Sequence, residues 1–244
     1  MGFAMVAGGS PGMAAPVTGI AAGDIAVGST VKLMESGTVV EYLVVNQGIP
    51  SSSNLYDSSC DGTWLLRKAL HSSRKWNSSN VNKYESSAIN TWLNGGFFAT
   101  LGSVGEKAVK LVKIPYRKNG GSGGSNQSGA NGLSCKVFLL SAYEVGWTTS
   151  NSSYFPVDGA KLSYFESGTG TSAESKRVAY LNGSSTKWWL RSPLTNSADN
   201  AWNVYHTGDY TGDYATVSCG IRPALVLSKT AIFDEDTMIL KGAA

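Results

Sequence analysis

The stretch from Lys187 to Leu227, KWWLRSPLTNSADNAWNVYHTGDYTGDYATVSCGIRPALVL, constrains the fold of this chain more than any other. Its two ends, Trp188-Trp189-Leu190-Arg191-Ser192-Pro193 and Gly220-Ile221-Arg222-Pro223-Ala224-Leu225-Val226-Leu227, are stiff and apolar. Backbone just ahead of Pro is biased toward extended conformations, so both ends read as framework. A guanidinium set among apolar strand residues must be paired or hydrogen-bonded. Arg191 and Arg222 are therefore expected to pin the ends of the region to the core, with ligand contact by either as the second reading. The middle is almost wholly Asn, Asp, Tyr, Thr, Ser and Gly. Recognition loops favour this composition, because aromatic rings give rigid contact area and short polar side chains give adaptable hydrogen bonding. The candidate ligand-binding residues are Asn196, Asp199, Asn200, Trp202, Asn203, Tyr205, His206, Asp209, Tyr210, Asp213 and Tyr214. Within them Thr207-Gly208-Asp209-Tyr210 is repeated at once as Thr211-Gly212-Asp213-Tyr214. The glycines predict tight turns that push the rings outward, so Tyr205, Tyr210 and Tyr214 are expected to form one binding face; a loop duplication without a ligand is the alternative.

With 244 residues, 42% hydrophobic and 10% aromatic, the chain has enough apolar material for a large core. Charged residues make up only 15% and Gly reaches 29 copies, which suits many short strands and long loops better than a helical bundle. The formal charge of +3 is spread without a basic run, so no nucleic-acid partner is expected. Cys60, Cys135 and Cys219 lie far apart with no zinc-finger spacing and read as small buried hydrophobes. No apolar run reaches the roughly 18 residues of a membrane span. The first cation is Lys32, so the positive region of a signal peptide is missing and assembly in a cytoplasm is expected.

Met1 to Gly28 is a low-complexity arm of Gly, Ala and small apolar residues, expected to attach or assemble the chain, with residues 29–244 as one domain. Ser29–Glu35 and Thr38–Asn46, joined by Ser36-Gly37, predict a hairpin. Asn80–Leu93 predicts an amphipathic helix stopped by Gly95-Gly96. Val109–Tyr116 reads as a half-buried strand ending near Pro115, and Lys136–Leu140 as another. The Gly/Ser tract 119–132 between them is expected to be an internal loop rather than a linker. Ser141 and Glu144 have capping-box spacing and predict a short helix. A short strand or helix is expected around Lys176–Leu181, and an extended segment over Thr230–Lys241.

Chemistry-bearing motifs are sparse. His71 and His206 are far apart and read as packed or surface residues. Nucleophile-elbow, metalloprotease and phosphate-loop patterns are missing. Asp234-Glu235-Asp236 reads as a solvated turn, because adjacent carboxylates on a strand point to opposite faces. A glycosidase pair is defined by spatial separation, so the sequence neither supports nor removes one.

Taken as an ordered set, several stretches carry a family likeness: Asp61-Gly62-Thr63-Trp64-Leu65-Leu66-Arg67-Lys68, Trp76 to Asn82, Thr91-Trp92-Leu93-Asn94-Gly95, Lys136 to Gly146, Trp188 to Pro193 and Gly220 to Leu227. Together they resemble domain of unknown function 6273, found in bacterial and phage proteins, over roughly Ser29 to Leu240. The resemblance implies an α+β, C-type-lectin-like domain, related to the formylglycine-generating-enzyme-like folds, with many short strands, one or two helices and long loops behind an extended N-terminal arm. It supplies no catalytic residues, and no cofactor or metal is expected. The span from Thr195 to Thr216 shares its composition with the variable positions of retroelement-diversified proteins on such scaffolds; a fixed recognition surface is the main expectation. The implied function is a non-enzymatic phage virion protein, on tail or capsid, that binds a host-surface glycan or protein. Its implied partners are other virion proteins reached through the arm and further copies of itself. A decoration or assembly role for the particle is one alternative; a formylglycine-generating-type enzyme or cell-wall hydrolase is another.

Overall fold

The computed structural model of the chain describes residues 17–51, 53–147, 154–167 and 175–243. Two five-stranded sheets organise them. In chain order their strands are β1 (Thr30–Glu35), β2 (Thr38–Gln47), β3 (Thr63–Arg67), β4 (Ser73–Lys75), β5 (Val137–Phe138), β6 (Trp188–Pro193), β7 (Asn200–Val204), β8 (Tyr210–Tyr214), β9 (Ser218–Gly220) and β10 (Ala224–Leu227). One sheet has the order β5-β10-β3-β2-β1 and is antiparallel throughout. The other has the order β8-β7-β6-β9-β4, with β6 and β9 parallel. With one 13-residue helical stretch and several sheets, the fold is α+β and mostly β.

The sheets are joined where two connections cross side by side. The chain leaves β3 for β4 through residues 68–72 and returns from β9 to β10 through Ile221-Arg222-Pro223. Backbone bonds tie the two connections: Arg67 N–H to Pro223 O (2.9 Å), His71 N–H to Ile221 O (2.8 Å) and Ile221 N–H to Ser72 O (2.9 Å). Trp64, Trp76, Trp188 and Trp189, in and beside the two sheets, are fully buried. Their indole N–H groups all find backbone carbonyls, those of Cys60, Leu190, Arg177 and Arg74, so large apolar rings are buried without an orphan donor.

The expected hairpin is β1–β2, in register from Thr30 opposite Leu43 to Glu35 opposite Thr38. Ser36 (φ 48°) and Gly37 (φ 81°) both take positive φ, the geometry a two-residue hairpin turn requires. No atom lies within 4 Å of where a Gly37 Cβ would sit, so a side chain there meets only backbone strain. Gly37→Ala is expected to cost roughly 1 kcal/mol, read as a lower urea midpoint with an unchanged slope.

The helix differs from the sequence expectation. It begins at Ala88, where the Ser87 hydroxyl accepts the Asn90 N–H (3.2 Å), and runs over 88–100. Gly95-Gly96 does not stop it. The chain passes through both glycines in a π turn, Leu93–Phe97, because Leu93 and Phe97 are fully buried and their packing outweighs the roughly 1 kcal/mol that each helical Gly costs. Gly102, at φ 63°, makes the break before a second helix, Gly102–Ala108. The capping-box bonds at Ser141 and Glu144 form in both directions (2.9 and 3.2 Å), yet the chain beyond Ser141 makes a turn rather than a helix.

Tract 119–132 folds back as part of the domain. Val112–Ile114 pairs with Leu133–Cys135, and Tyr116–Lys118 pairs with Ser125–Gln127, with Pro115 between the two ladders. At Gly121 the backbone approaches Leu194 and Ser197 so closely that a Cβ would overlap both carbonyl oxygens. Near Lys176–Leu181 the structure places a small hairpin, Tyr180–Leu181 with Ser184–Ser185. At the C-terminus Ala231–Phe233 pairs with Leu240–Ala243 and also with Ile20–Ala21. Residues 1–16 of the expected arm lie outside the described residues. Its remainder includes Ala22 and Ile25, both buried, so packing on this domain starts near Ile20 and not after Gly28. No helix among the described residues is long and apolar enough to cross a membrane.

Candidate functional site

The two arginines that bracket the Lys187 to Leu227 stretch are both buried. Arg191 uses all five of its N–H donors: Nε to Pro115 O (2.9 Å), Nη1 to Leu139 O (2.8 Å) and Glu144 Oε2 (2.6 Å), and Nη2 to Glu144 Oε1 (2.6 Å) and Asp158 O (2.7 Å). Glu144 also accepts the Tyr56 hydroxyl (3.0 Å) and the Ser141 N–H (2.9 Å). Ser192 donates to Asp158 Oδ2 (2.8 Å) and accepts the Ala142 N–H (2.9 Å). Burial raises the Asp158 carboxyl to about 7, against the pull of Arg191 and the Ser192 hydrogen bond. Arg222 donates to the carbonyls of Arg67 (2.9 Å) and Lys68 (3.3 Å) and lies over the Trp188 ring at 5.1 Å. Burial lowers its pKa to about 10. Both guanidiniums thus fix the frame from inside the core.

The presented middle is a hairpin, β7–β8, rather than a set of loops. Its register runs from Asn200 opposite Tyr214 to Val204 opposite Tyr210, leaving Tyr205 to Asp209 as the tip. Asn196 is exposed in the preceding turn, and Asp199 is half-buried and accepts the Ser197 hydroxyl. Asn200 Oδ1 is buried without a partner, while its carbonyl accepts Asn82 Nδ2 (2.7 Å). Trp202 and Asn203 are corrected from presented to buried. Trp202 packs edge-on to Phe155 (4.6 Å) and near Tyr210 (5.7 Å). Asn203 donates to Asp213 Oδ2 (3.0 Å). At the tip Asp209 holds the turn through its Oδ1, which accepts the Tyr210 N–H (2.7 Å). Tyr205 is 42% exposed with its ring centroid 3.9 Å from that of His206, and Tyr214 is 53% exposed.

Strand alternation divides these residues between two faces. Asn200, Trp202, Val204, Tyr210, Gly212 and Tyr214 share one face. The other carries Ala201, Asn203 and, where the alternation continues through the Tyr205 N–H to Asp209 O bond, Tyr205, together with Thr211 and Asp213. Tyr205, Tyr210 and Tyr214 therefore do not form a single binding face. Tyr210 turns into the cluster of Trp147, Phe155 and Trp202, and Tyr214 points away from the side that Tyr205 occupies. Composition reports residue types but not their alternation, which is why the sequence grouped them.

The Tyr205 face continues across the sheet. Trp188 pairs with Val204 on one side and Gly220 on the other, which puts Lys187 and Trp189 on the same side as Cys219, and Cys219 pairs with Arg74. Lys187 Nζ reaches Asp213 Oδ2 at 2.8 Å. Burial lowers the Lys187 ammonium, but its hydrogen bond to Asp213 and the charge of that carboxylate raise it by more. Cys219 lies 3.9 Å from the same carboxylate oxygen, and burial pushes its thiol up to about 12. At the far edge Arg74 stacks over Trp92 at 4.0 Å, beside a cavity of about 340 Å³ that no sequence motif announces.

Other candidates fall in packed or solvated places. His71 sits against Trp92 and Phe97, and burial lowers its pKa. Cys60 and Cys135 are buried, and desolvation raises both thiols, Cys60 to about 11. Asp234 caps its own turn, accepting the Asp236 and Thr237 N–H groups (3.2 and 2.9 Å). Among the described residues no group of three or more His, Cys, Asp or Glu is placed to hold a metal ion.

The stretches by which the chain resembles its family meet one another in this frame. Glu144 of Lys136 to Gly146 meets Arg191 of Trp188 to Pro193, and Asn94 of Thr91 to Gly95 bonds the backbone of Lys136 and Val137. Trp76 donates to Leu190 O (2.9 Å), and Arg222 to Arg67 O. No curated protein and no solved structure matches the chain. A family profile matches residues 61–229, more than half of the sequence, and the chain belongs to that family, described as domain of unknown function (DUF6273).

Proposed function

We propose that this chain is a non-enzymatic recognition protein of a bacteriophage particle, in which a C-type-lectin-like domain holds the Tyr205 face toward a host-surface glycan. The observation that carries the reading is the pairing of exposed rings, Tyr205 and His206 at the tip, and half-buried Lys187 and Asp213 behind them, with a packed and largely hydrogen-bonded frame. Binding functions normally reside at such exposed sites on rigid scaffolds. Tyr and His rings stack on sugar faces, while the carboxylate and ammonium hydrogen-bond hydroxyls. The lectin-like assignment draws on the family likeness and on a C-terminal region built from short strands; the particle draws on the occurrence of such domains in phage proteins. A formylglycine-generating-type enzyme needs a reactive thiol, and burial raises the pKa of all three cysteines here.

A glycan array tests the reading. Wild-type protein is expected to bind a defined subset of bacterial-surface glycans, and Tyr205→Ala to weaken that binding about tenfold, the loss of one stacking contact. Tyr214→Ala, on the other face, is expected to leave it unchanged. Equal loss from both variants, or binding insensitive to Tyr205, would contradict the assignment of the face.

A further inference from the structure

We propose that the cavity at the β4 edge, lined by Arg74, Lys75, Ser78, Ala88, Ile89 and Trp92, binds the carboxylate of an acidic sugar residue; this rests on the glycan reading above. Its volume of about 340 Å³ suits one or two sugar rings and falls in the range of small-ligand sites. Of its six lining residues Arg74 and Lys75 are cations and none is an acid; Arg74 turns its side chain toward Trp92, while Lys75, next along β4, turns its side chain to the other face. Among the described residues Arg74 and Lys75 take part in no ion pair, and no acceptor engages either side chain.

The guanidinium is held in place before any ligand arrives. Arg74 lies over the Trp92 ring, which His71 and Phe97 brace at 5.2 and 5.5 Å, and the Arg74 carbonyl accepts the Trp189 indole N–H at 3.1 Å. Its N–H groups remain available, and their planar fork matches a carboxylate. The positive charge comes from the guanidinium and not from the helix start beside it. The N–H groups of Ala88, Ile89 and Asn90 are already taken by Asn77 Oδ1, Trp76 O and Ser87 Oγ. Ala88 is exposed and Trp92 half-buried beside the guanidinium, an apolar margin that the C–H face of a sugar ring can cover. Arg74 also shares a sheet face with Lys187 and Tyr205, and three strand spacings, about 14 Å, separate β4 from β7. Between them the side chains of Trp189, Asn203 and Cys219 are buried, so the cavity is a contact site separate from the Tyr205 tip.

The test is calorimetry on the full chain with oligogalacturonate, a hyaluronan oligosaccharide and a sialic acid trimer, each compared with its carboxyl-reduced form. At least one acidic probe is expected to bind, and its reduced form to bind about tenfold more weakly, the contribution of one charge-assisted contact. Arg74→Met, at an exposed position, should lose about tenfold and bind acidic and reduced forms alike, whereas Lys75→Met, equally exposed on the other face of β4, should lose little. Retention of the native melting temperature checks that the variants remain folded. Equal binding of acidic and reduced forms by wild type, or preference that survives in Arg74→Met, overturns the proposal. So does displacement by equimolar sodium acetate, which would mark a simple anion site. Neutral glycans bound in a Tyr205-dependent way with no acidic preference would sink this inference alone, whereas no binding of any glycan would sink the recognition reading with it.

Discussion

Replacing Glu144 with Ala is expected to destabilise the fold by about 3–5 kcal/mol, enough to leave many single domains largely unfolded. The carboxylate is fully buried and meets Arg191 in two parallel contacts of 2.6 Å. Its removal leaves a cation in the core with three carbonyls and only the Asp158 carboxyl, which burial raises to about 7, as a counter-charge, and it also strips an acceptor from the Tyr56 hydroxyl and the Ser141 N–H. Replacing the pair together with Glu144→Leu and Arg191→Met should not restore stability. Buried ion pairs can often be exchanged for apolar residues, but this guanidinium also satisfies Pro115, Leu139 and Asp158 carbonyls. Each buried carbonyl left without a donor costs about 1–3 kcal/mol. Urea unfolding of the single and the double variant measures this directly, and a shift below about 1 kcal/mol for Glu144→Ala would show that the pair is dispensable.

The same hub shows how far the sequence could be read. An Arg among apolar strand residues demanded a partner, and the Ser141 and Glu144 spacing announced a local bond, but neither signal says that Glu144 serves both. That coincidence depends on two segments 47 positions apart meeting in the core. The β1–β2 hairpin was legible because its turn chemistry and its alternation agree over a short span. The Gly95-Gly96 stop was misread because burial of Leu93 and Phe97 is a tertiary effect that overrides local preference. In the candidate site, Asn200-Ala201-Trp202-Asn203-Val204 carries no alternation, because both faces of that strand are covered, and its polar surroundings favoured a loop reading. The Arg74 cavity had no sequence signal, since its walls come from β4 and the helix start. The family-like stretches mostly bond to one another, which explains why they predict architecture and leave the exposed Tyr205 face to its own chemistry.

Stability should fall as pH rises from about 4 to about 7, by about 4 kcal/mol from Asp158 alone. Burial raises this carboxyl from its ordinary 3.8 to about 7 in the folded chain. Between those values the unfolded chain has released the proton and the folded chain keeps it. The folded state therefore binds more protons, and raising the pH favours unfolding until the native carboxyl ionises as well. The groups facing it explain why protonation is preferred: one buried guanidinium, Arg191, is already neutralised by Glu144, Asp158 Oδ1 has no partner, and a second negative charge would stand uncompensated. His71 acts in the opposite sense, because burial lowers its pKa and folding there grows more favourable as pH rises toward 6.5. Exposed carboxylates held low by hydrogen bonds, such as Asp57 and Asp234, lose their contribution only as pH falls below about 4. The difference between wild type and Asp158→Asn thus isolates the effect. Asn keeps the shape and the Ser192 contact without an ionisable group, so the variant should gain on wild type steadily from about pH 4 to about pH 7 and hold a constant advantage above it. A difference that is flat across the window would mean that Asp158 is ionised in the folded core, with Arg191 serving both carboxylates.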